Sequence, residues 1–196
     1  MKRKDKIIVI DYDPKWAEQF VELCDLLLRY VNKNDMISIE HVGSTSVVGL
    51  KAKPVIDLDI IVADGEHMKK VIAQLAKLGY EHIGDLGVVG REAFKRPPEN
   101  ILTNGTGRKW FKHHLYVCQT GSIGLRNHLA LRDHLRDHPE KVVEYGNLKQ
   151  DLAEKYPYDI DAYIEGKTDF ITNILIEMGL GENDISTIRK NNENQI

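Results

Sequence analysis

Two aspartates, Asp57 and Asp59, sit inside the apolar run Val55 to Val62, and the pair Gly43-Ser44 closes an earlier apolar run, Met36 to Val42. Both runs have the length and composition of buried strands. Side chains alternate between the two faces of a strand, so Asp57 and Asp59 must leave one face while Leu58 turns the other way into a core. Two like charges then share one small space. A single ionised carboxylate among Val, Ile and Leu is already costly to bury, and a second raises the cost unless a cation or a proton is shared between them. A divalent metal satisfies that requirement. Twelve residues (45–56) separate Ser44 from Asp57, so a small-residue turn able to offer N–H groups to phosphate oxygens precedes the acid pair. Metal-assisted chemistry on a phosphate is what this pattern suits.

A Gly-Ser turn followed by Asp-x-Asp on the next strand resembles the signature of the nucleotidyltransferase superfamily. The longer string EHVGSTSVVGLKAKPVIDLD, Glu40 to Asp59, is similar to the GrpB family, a bacterial branch of that superfamily. The family pattern has Pro where this chain has Val48, a position that carries no ligand. The resemblance implies an α+β fold: a nucleotidyltransferase-like mixed β-sheet flanked by helices, with a helical C-terminal half. It implies that Asp57 and Asp59 hold Mg2+, with Mn2+ as the substitute, to grip a triphosphate and lower the pKa of an attacking hydroxyl. Gly43, Ser44 and Thr45 are then expected to contact phosphate oxygens, with Lys53 neutralising part of the charge, although a lone lysine reads equally as solvated surface.

The superfamily usually draws a third carboxylate from a later strand. Here that strand, Phe111 to Cys118, contains no acid, and His114 stands where the acid is expected. The family pattern has a second histidine where this chain has Tyr116. His114 is therefore expected either as a third metal ligand or as the general base for an acceptor hydroxyl. Imidazole suits manganese, zinc or iron better than magnesium, so an Asp-Asp-His set departs from the magnesium pattern. Arg126, and Lys167 within the segment YIEGKTDF, match positions of the family pattern and are expected near the phosphates. Glu40 and His41 alternate faces, so only one can look toward the acids, and Glu40 reads equally as a partner for a basic neighbour.

The elements that must position these groups follow from periodicity. Ile7 to Ile10 reads as a short strand, and Asp13-Pro14 opens a helix that runs to about Val31 on the stripe Trp16, Phe20, Leu23, Leu27, Val31. A second helix spans Gly65 to Leu78, capped by Gly79. Tyr80 to Ile83 and Glu92 to Lys95 are candidate strands. Arg96 to Lys109, with two prolines and two glycines, reads as a loop and a possible lid. Three helices are expected between Leu125 and Leu180, and the polar stretch Glu182 to Ile196 is expected to fray. One domain over residues 1–181 accounts for the whole pattern.

Composition narrows the partners. The chain has 196 residues, 42% of them hydrophobic, and a formal net charge of −3. With a pI near 6.2, a basic surface for sequence-independent nucleic-acid binding is not expected. Cys24 and Cys118 have no metal or redox spacing and read as reduced packing residues of a cytoplasmic protein. No run approaches a membrane span. The expected partners are a nucleoside triphosphate and a small acceptor bearing a hydroxyl or a phosphate. The activity implied is nucleotidyl transfer; a non-catalytic nucleotide or phosphometabolite module and a metal-dependent phosphohydrolase are the alternatives.

Overall fold

The structure is a computed structural model that describes residues 5–96 and 111–193, with 191–193 described by backbone alone. All but the first residue of the expected lid, Arg96 to Lys109, lies outside the described residues. Five strands form one mixed sheet: β1 (Ser38–Val42), β2 (Ile56–Val62), β3 (Glu81–Gly84), β4 (Arg91–Lys95) and β5 (His113–Gln119), in the order β1-β2-β5-β4-β3. Only β2 and β5 run parallel; the other neighbours are antiparallel.

Six helices surround the sheet: α1 (Lys15–Leu27), α2 (Gly65–Lys77), α3 (Ile123–Asp137), α4 (Pro139–Lys155), α5 (Ile160–Glu177) and α6 (Glu182–Glu193). Local chemistry sets their ends. Asp64 caps α2 by accepting from the amides of Glu66 and His67 at 2.9 and 3.0 Å, and Gly79, at φ +85°, ends the same helix in the left-handed conformation glycine tolerates. α1 stops at Leu27, four residues short of the end its apolar stripe suggests. The chain turns there, the Val31 amide bonding back to the Leu27 carbonyl at 2.8 Å, so Val31 stays buried without being helical.

Strand alternation divides β2 between two surroundings. Ile56, Leu58, Ile60 and Val62, with Leu115 and Val117 of β5, pack against α1 and α2 in the largest apolar cluster. The opposite face carries Asp57, Asp59 and Ile61 beside His114, Tyr116 and Cys118, and α3 lays Leu125 and Leu129 on it. β2, IDLDIIV, is apolar and largely buried apart from its two acids, which are therefore conspicuous. The link from β1 to β2 tucks Val47 and Leu50 among Leu135, Val142, Tyr145 and Ile174, tying the sheet edge to the helical half.

Two expectations are corrected. Ile7 to Ile10 forms no strand ladder: Ile10 makes one antiparallel bridge to Ala52, while the Ile7 amide bonds the Pro157 carbonyl and its side chain packs on Leu152, Ala153 and Tyr163. The stretch expected to fray from Glu182 is instead helical through Glu193. Ile185 and Ile188, three residues apart, close over Leu175, and two ion pairs, Arg126–Asp184 and Arg189–Asp169 (both 2.6 Å), fasten the helix down. Among the described residues no helix is long and apolar enough to cross a membrane.

Candidate functional site

β1 delivers the chain to Gly43, where φ is +68° and ψ −173°, a conformation essentially reserved for glycine. A Cβ there would fall 2.8 Å from Asp57 Cγ, so the missing side chain is what lets the turn Ser44–Ser46 lie against the Asp57 carboxylate. Ser46 Oγ donates back to the Gly43 carbonyl at 2.6 Å and fixes the bend.

The parallel register sets His114 beside Asp57 and Tyr116 beside Asp59. His114 Nδ1 donates to Asp57 Oδ1 at 2.8 Å, and the ring remains half exposed. Burial alone would raise the Asp57 pKa, but the His114 hydrogen bond and the charges of His114, His128 and Lys53 hold it below the ordinary carboxylate value. Asp59 is fully buried; its Oδ2 accepts from His128 Nδ1 at 2.8 Å and its Oδ1 has no hydrogen-bond partner. The two carboxylates therefore leave one face of β2, each meeting its own histidine.

Gly43, Ser44, Asp57, Tyr116, His128, Arg132, Tyr145 and Lys167 line a cavity of about 210 Å³ over this face. Three lysines feel the Asp57 charge. Lys149, only 2% exposed, donates from Nζ to Ser44 Oγ at 2.8 Å and lies 4.4 Å from the Tyr145 ring centre. Burial first, then the charge of Lys167, press its pKa well below the ordinary value, against the pull of Asp57. Lys167, 4.6 Å from the Tyr163 ring centre, is brought to about 8 by burial and by Lys53. Lys53 is itself lowered by burial, with Asp57 opposing. Three amines thus answer to one accessible carboxylate, an arrangement that suits a polyanion able to favour their charged forms.

The remaining expected residues fall as follows. Thr45 does not face the cavity: it is 1% exposed, its Oγ1 bonding His41 Nε2 at 3.0 Å and the Val55 carbonyl at 3.4 Å, which makes it a strut between turn and strand. Arg126 is also displaced, its guanidinium taken by Asp184 on α6 and absent from the cavity wall. Glu40 resolves to an ion pair, accepting from Arg132 at 2.8 Å, while His41 stacks on Phe20 with a pKa lowered to about 4 mainly by burial. His113 points into the opposite core against Tyr80 Oη at 2.6 Å.

His114 meets Asp57 but not Asp59. Among the described residues, the trio of potential metal-ligand atoms within 4.8 Å of one another is Asp59, Cys118 and His128. By sequence, Lys149 is one of the basic residues of the helical half and His128 belongs to the segment Arg126-Asn127-His128, which could turn charge toward a nucleotide or equally form a solvated face; a sharper signal exists. His128 lies three residues after Leu125 and seven before Leu135; Lys149 lies four after Tyr145 and three before Leu152. Both occupy the buried stripe of their helices, where an ionisable group is the informative exception. For a cation, Asp57 Oδ2 lies under the space a Gly43 side chain would fill at the cavity wall, whereas Asp59 is sealed and groups with Cys118 and His128.

A family model described as GrpB protein matches residues 6–177. Protein YqkA of Bacillus subtilis (strain 168) is 36% identical over 168 residues, 86% of this chain and 46% of YqkA, so the chain spans just under half of that relative. Glutamate-rich protein GrpB of Alkalihalophilus pseudofirmus is 31% identical over 176 residues, 89% of this chain and 97% of that one. The crystal structure of conserved protein GrpB from Enterococcus faecalis superposes with a TM-score of 0.71 at 32% identity, over 93% of this chain and 98% of the other.

Proposed function

From the premise that this chain belongs to the GrpB family, whose model spans residues 6–177, we propose that it is a metal-dependent nucleotidyltransferase acting on a nucleoside triphosphate and a small hydroxyl- or phosphate-bearing acceptor. The observation that carries the reading is the placement of two lysines at the turn and the acid, Lys149 bonded to Ser44 Oγ and Lys167 in the cavity wall with Asp57, while Lys53 lines a neighbouring pocket and meets Asp57 only through its charge. Burial disfavours the charged form of all three lysines and a bound polyphosphate favours it, so part of the binding energy is the relief of a penalty present in the free protein.

Asp57 and Asp59 are the residues to hold Mg2+ or Mn2+, which when bound neutralises phosphate charge and acidifies a hydroxyl. Ser44 and the three lysines bind and orient the phosphates. His114 takes the acceptor's proton from its half-exposed position, its ring oriented by the hydrogen bond from Nδ1 to Asp57. The acceptor oxygen then forms a bond to the α-phosphorus as the bond to the β-phosphate bridge breaks, and pyrophosphate leaves with the electron pair. The reduced cysteines Cys24 and Cys118 fit a cytoplasmic setting.

One observation favours a quieter role: each carboxylate is already hydrogen-bonded to a histidine and β5 has no third acid, which suits a non-catalytic nucleotide or phosphometabolite sensor. Incubating the chain with each labelled triphosphate, Mg2+ or Mn2+, and a panel of acceptors separates these readings. Acceptor-dependent pyrophosphate that disappears in Asp57→Asn and Asp59→Asn supports transfer. Triphosphate binding without turnover supports the sensor, and orthophosphate release supports a hydrolase; either result rejects transfer.

A further inference from the structure

Asp59, Cys118 and His128 meet behind the cavity in a way that transfer chemistry does not require. Cys118 follows Tyr116 by two residues on β5 and so leaves the same sheet face as Asp59, while α3 brings His128 down onto both. One donor atom from each of the three lies within 4.8 Å of the others. The Asp59 and Cys118 side chains are sealed from solvent; His128 alone is partly open, 20% exposed, and is the member that lines the cavity. Asp59 Oδ1 has no hydrogen-bond partner despite complete burial. A fully buried carboxylate whose neighbours are an imidazole that donates to it and a thiol whose pKa burial and the Asp59 charge push up offers three donors that a cation can take in place of their protons.

The donor set decides which cation. One sulfur, one ring nitrogen and one carboxylate oxygen are the ligands of zinc and its borderline-soft neighbours, whereas magnesium takes oxygen donors and keeps its water. We propose that Asp59, Cys118 and His128 form a binding site for a thiophilic divalent cation, zinc foremost, entered past His128 from the cavity. Three protein ligands leave a fourth position open. The His128–Asp59 separation of 2.8 Å is that of a hydrogen bond. Two ligands of one tetrahedral zinc, bonded at about 2.0–2.1 Å, stand roughly 3.3 Å apart, so loading the site parts this pair by about half an ångström and replaces the proton between them. The site does not rest on the transfer reaction, but it takes Asp59, so zinc there competes with magnesium for the acid pair.

Cobalt(II) titration of the metal-free chain tests this directly, because thiolate ligation gives a near-ultraviolet charge-transfer band that oxygen and nitrogen ligands do not. The expected result is one equivalent of cobalt with that band, displaced by equimolar zinc and not by equimolar magnesium. The band vanishes in Cys118→Ser and persists in Cys24→Ser. Asp59→Asn weakens zinc binding by more than about tenfold, the loss already typical when only an outer partner of a metal ligand is removed. Serine at a sealed cysteine can unfold the chain, so a second measurement stands beside it: zinc raises the melting temperature of the wild type but not of His128→Gln. Cobalt bound without the band, a band that survives Cys118→Ser, or a folded wild-type chain that binds neither ion overturns the assignment.

Discussion

Gly43→Ala tests whether the turn and the carboxylate are built against each other. At φ +68° and ψ −173° an alanine is held in a region costing about 1–3 kcal/mol. Its Cβ would also lie 2.8 Å from both Cβ and Cγ of Asp57, an overlap of the kind that costs about 1–3 kcal/mol where the neighbours cannot yield. Asp57 cannot easily yield, since the register to β1 and β5 and the His114 hydrogen bond fix it. Taking about 3 kcal/mol for the sum, and about 2–4 °C per kcal/mol for a chain of this length, the melting temperature falls by roughly 6–12 °C. Circular dichroism melts at pH 7 measure it. The double mutant with Asp57→Ala removes Cγ and the carboxylate but keeps Cβ, so in a double-mutant cycle it recovers part of the steric share and leaves the backbone share. A Gly43→Ala chain that melts within about 1 °C of wild type, or a cycle with no coupling, refutes the reasoning from close approach.

Lys149→Met removes a buried ammonium and keeps its volume, so the chain should melt at the same temperature or higher, while triphosphate affinity falls about tenfold to a hundredfold for the loss of one charge-assisted hydrogen bond; calorimetric titration and melting read the two effects separately. Asp57 has a folded pKa below its ordinary 3.8, so the stability it adds is complete above that value and is lost as pH falls through the depressed one. Urea melts of wild type and Asp57→Asn should therefore differ at pH 7 and approach each other only as the pH falls below 3.8. His128→Ala strands the Asp59 carboxylate and should cost about 3–5 kcal/mol in urea melts, much of it regained by adding Asp59→Asn. Truncation before Glu182 strips Ile185 and Ile188 from Leu175, about 3–6 kcal/mol of apolar burial, and should lower the melting temperature by at least about 6 °C.

What could be read along the chain was whatever depends on neighbours in sequence. Alternation alone put Asp57 and Asp59 on one strand face, and the stripe of α2 with its terminal Gly79 placed that helix to within a residue. Partners across the fold were another matter. His128 reaches Asp59 over 69 positions, and nothing in the spacing of α3 says which of its polar side chains will meet a carboxylate. Thr45 misled for the opposite reason: its neighbours Gly43 and Ser44 border the cavity, but the 3₁₀ turn rotates Thr45 inward. Arg126 was drawn off by Asp184, on a stretch whose two spaced isoleucines were too sparse a pattern to announce a helix.

The central strands β2 and β5 run parallel, and the contacts between them join Asp57 to a histidine 57 positions away. Such a pairing closes a long loop, which is entropically costly and slow. An anion or cation bound at this centre stabilises the state in which both strands are already paired. Its effect should be to delay the opening of the native protein while leaving the speed of its assembly unchanged.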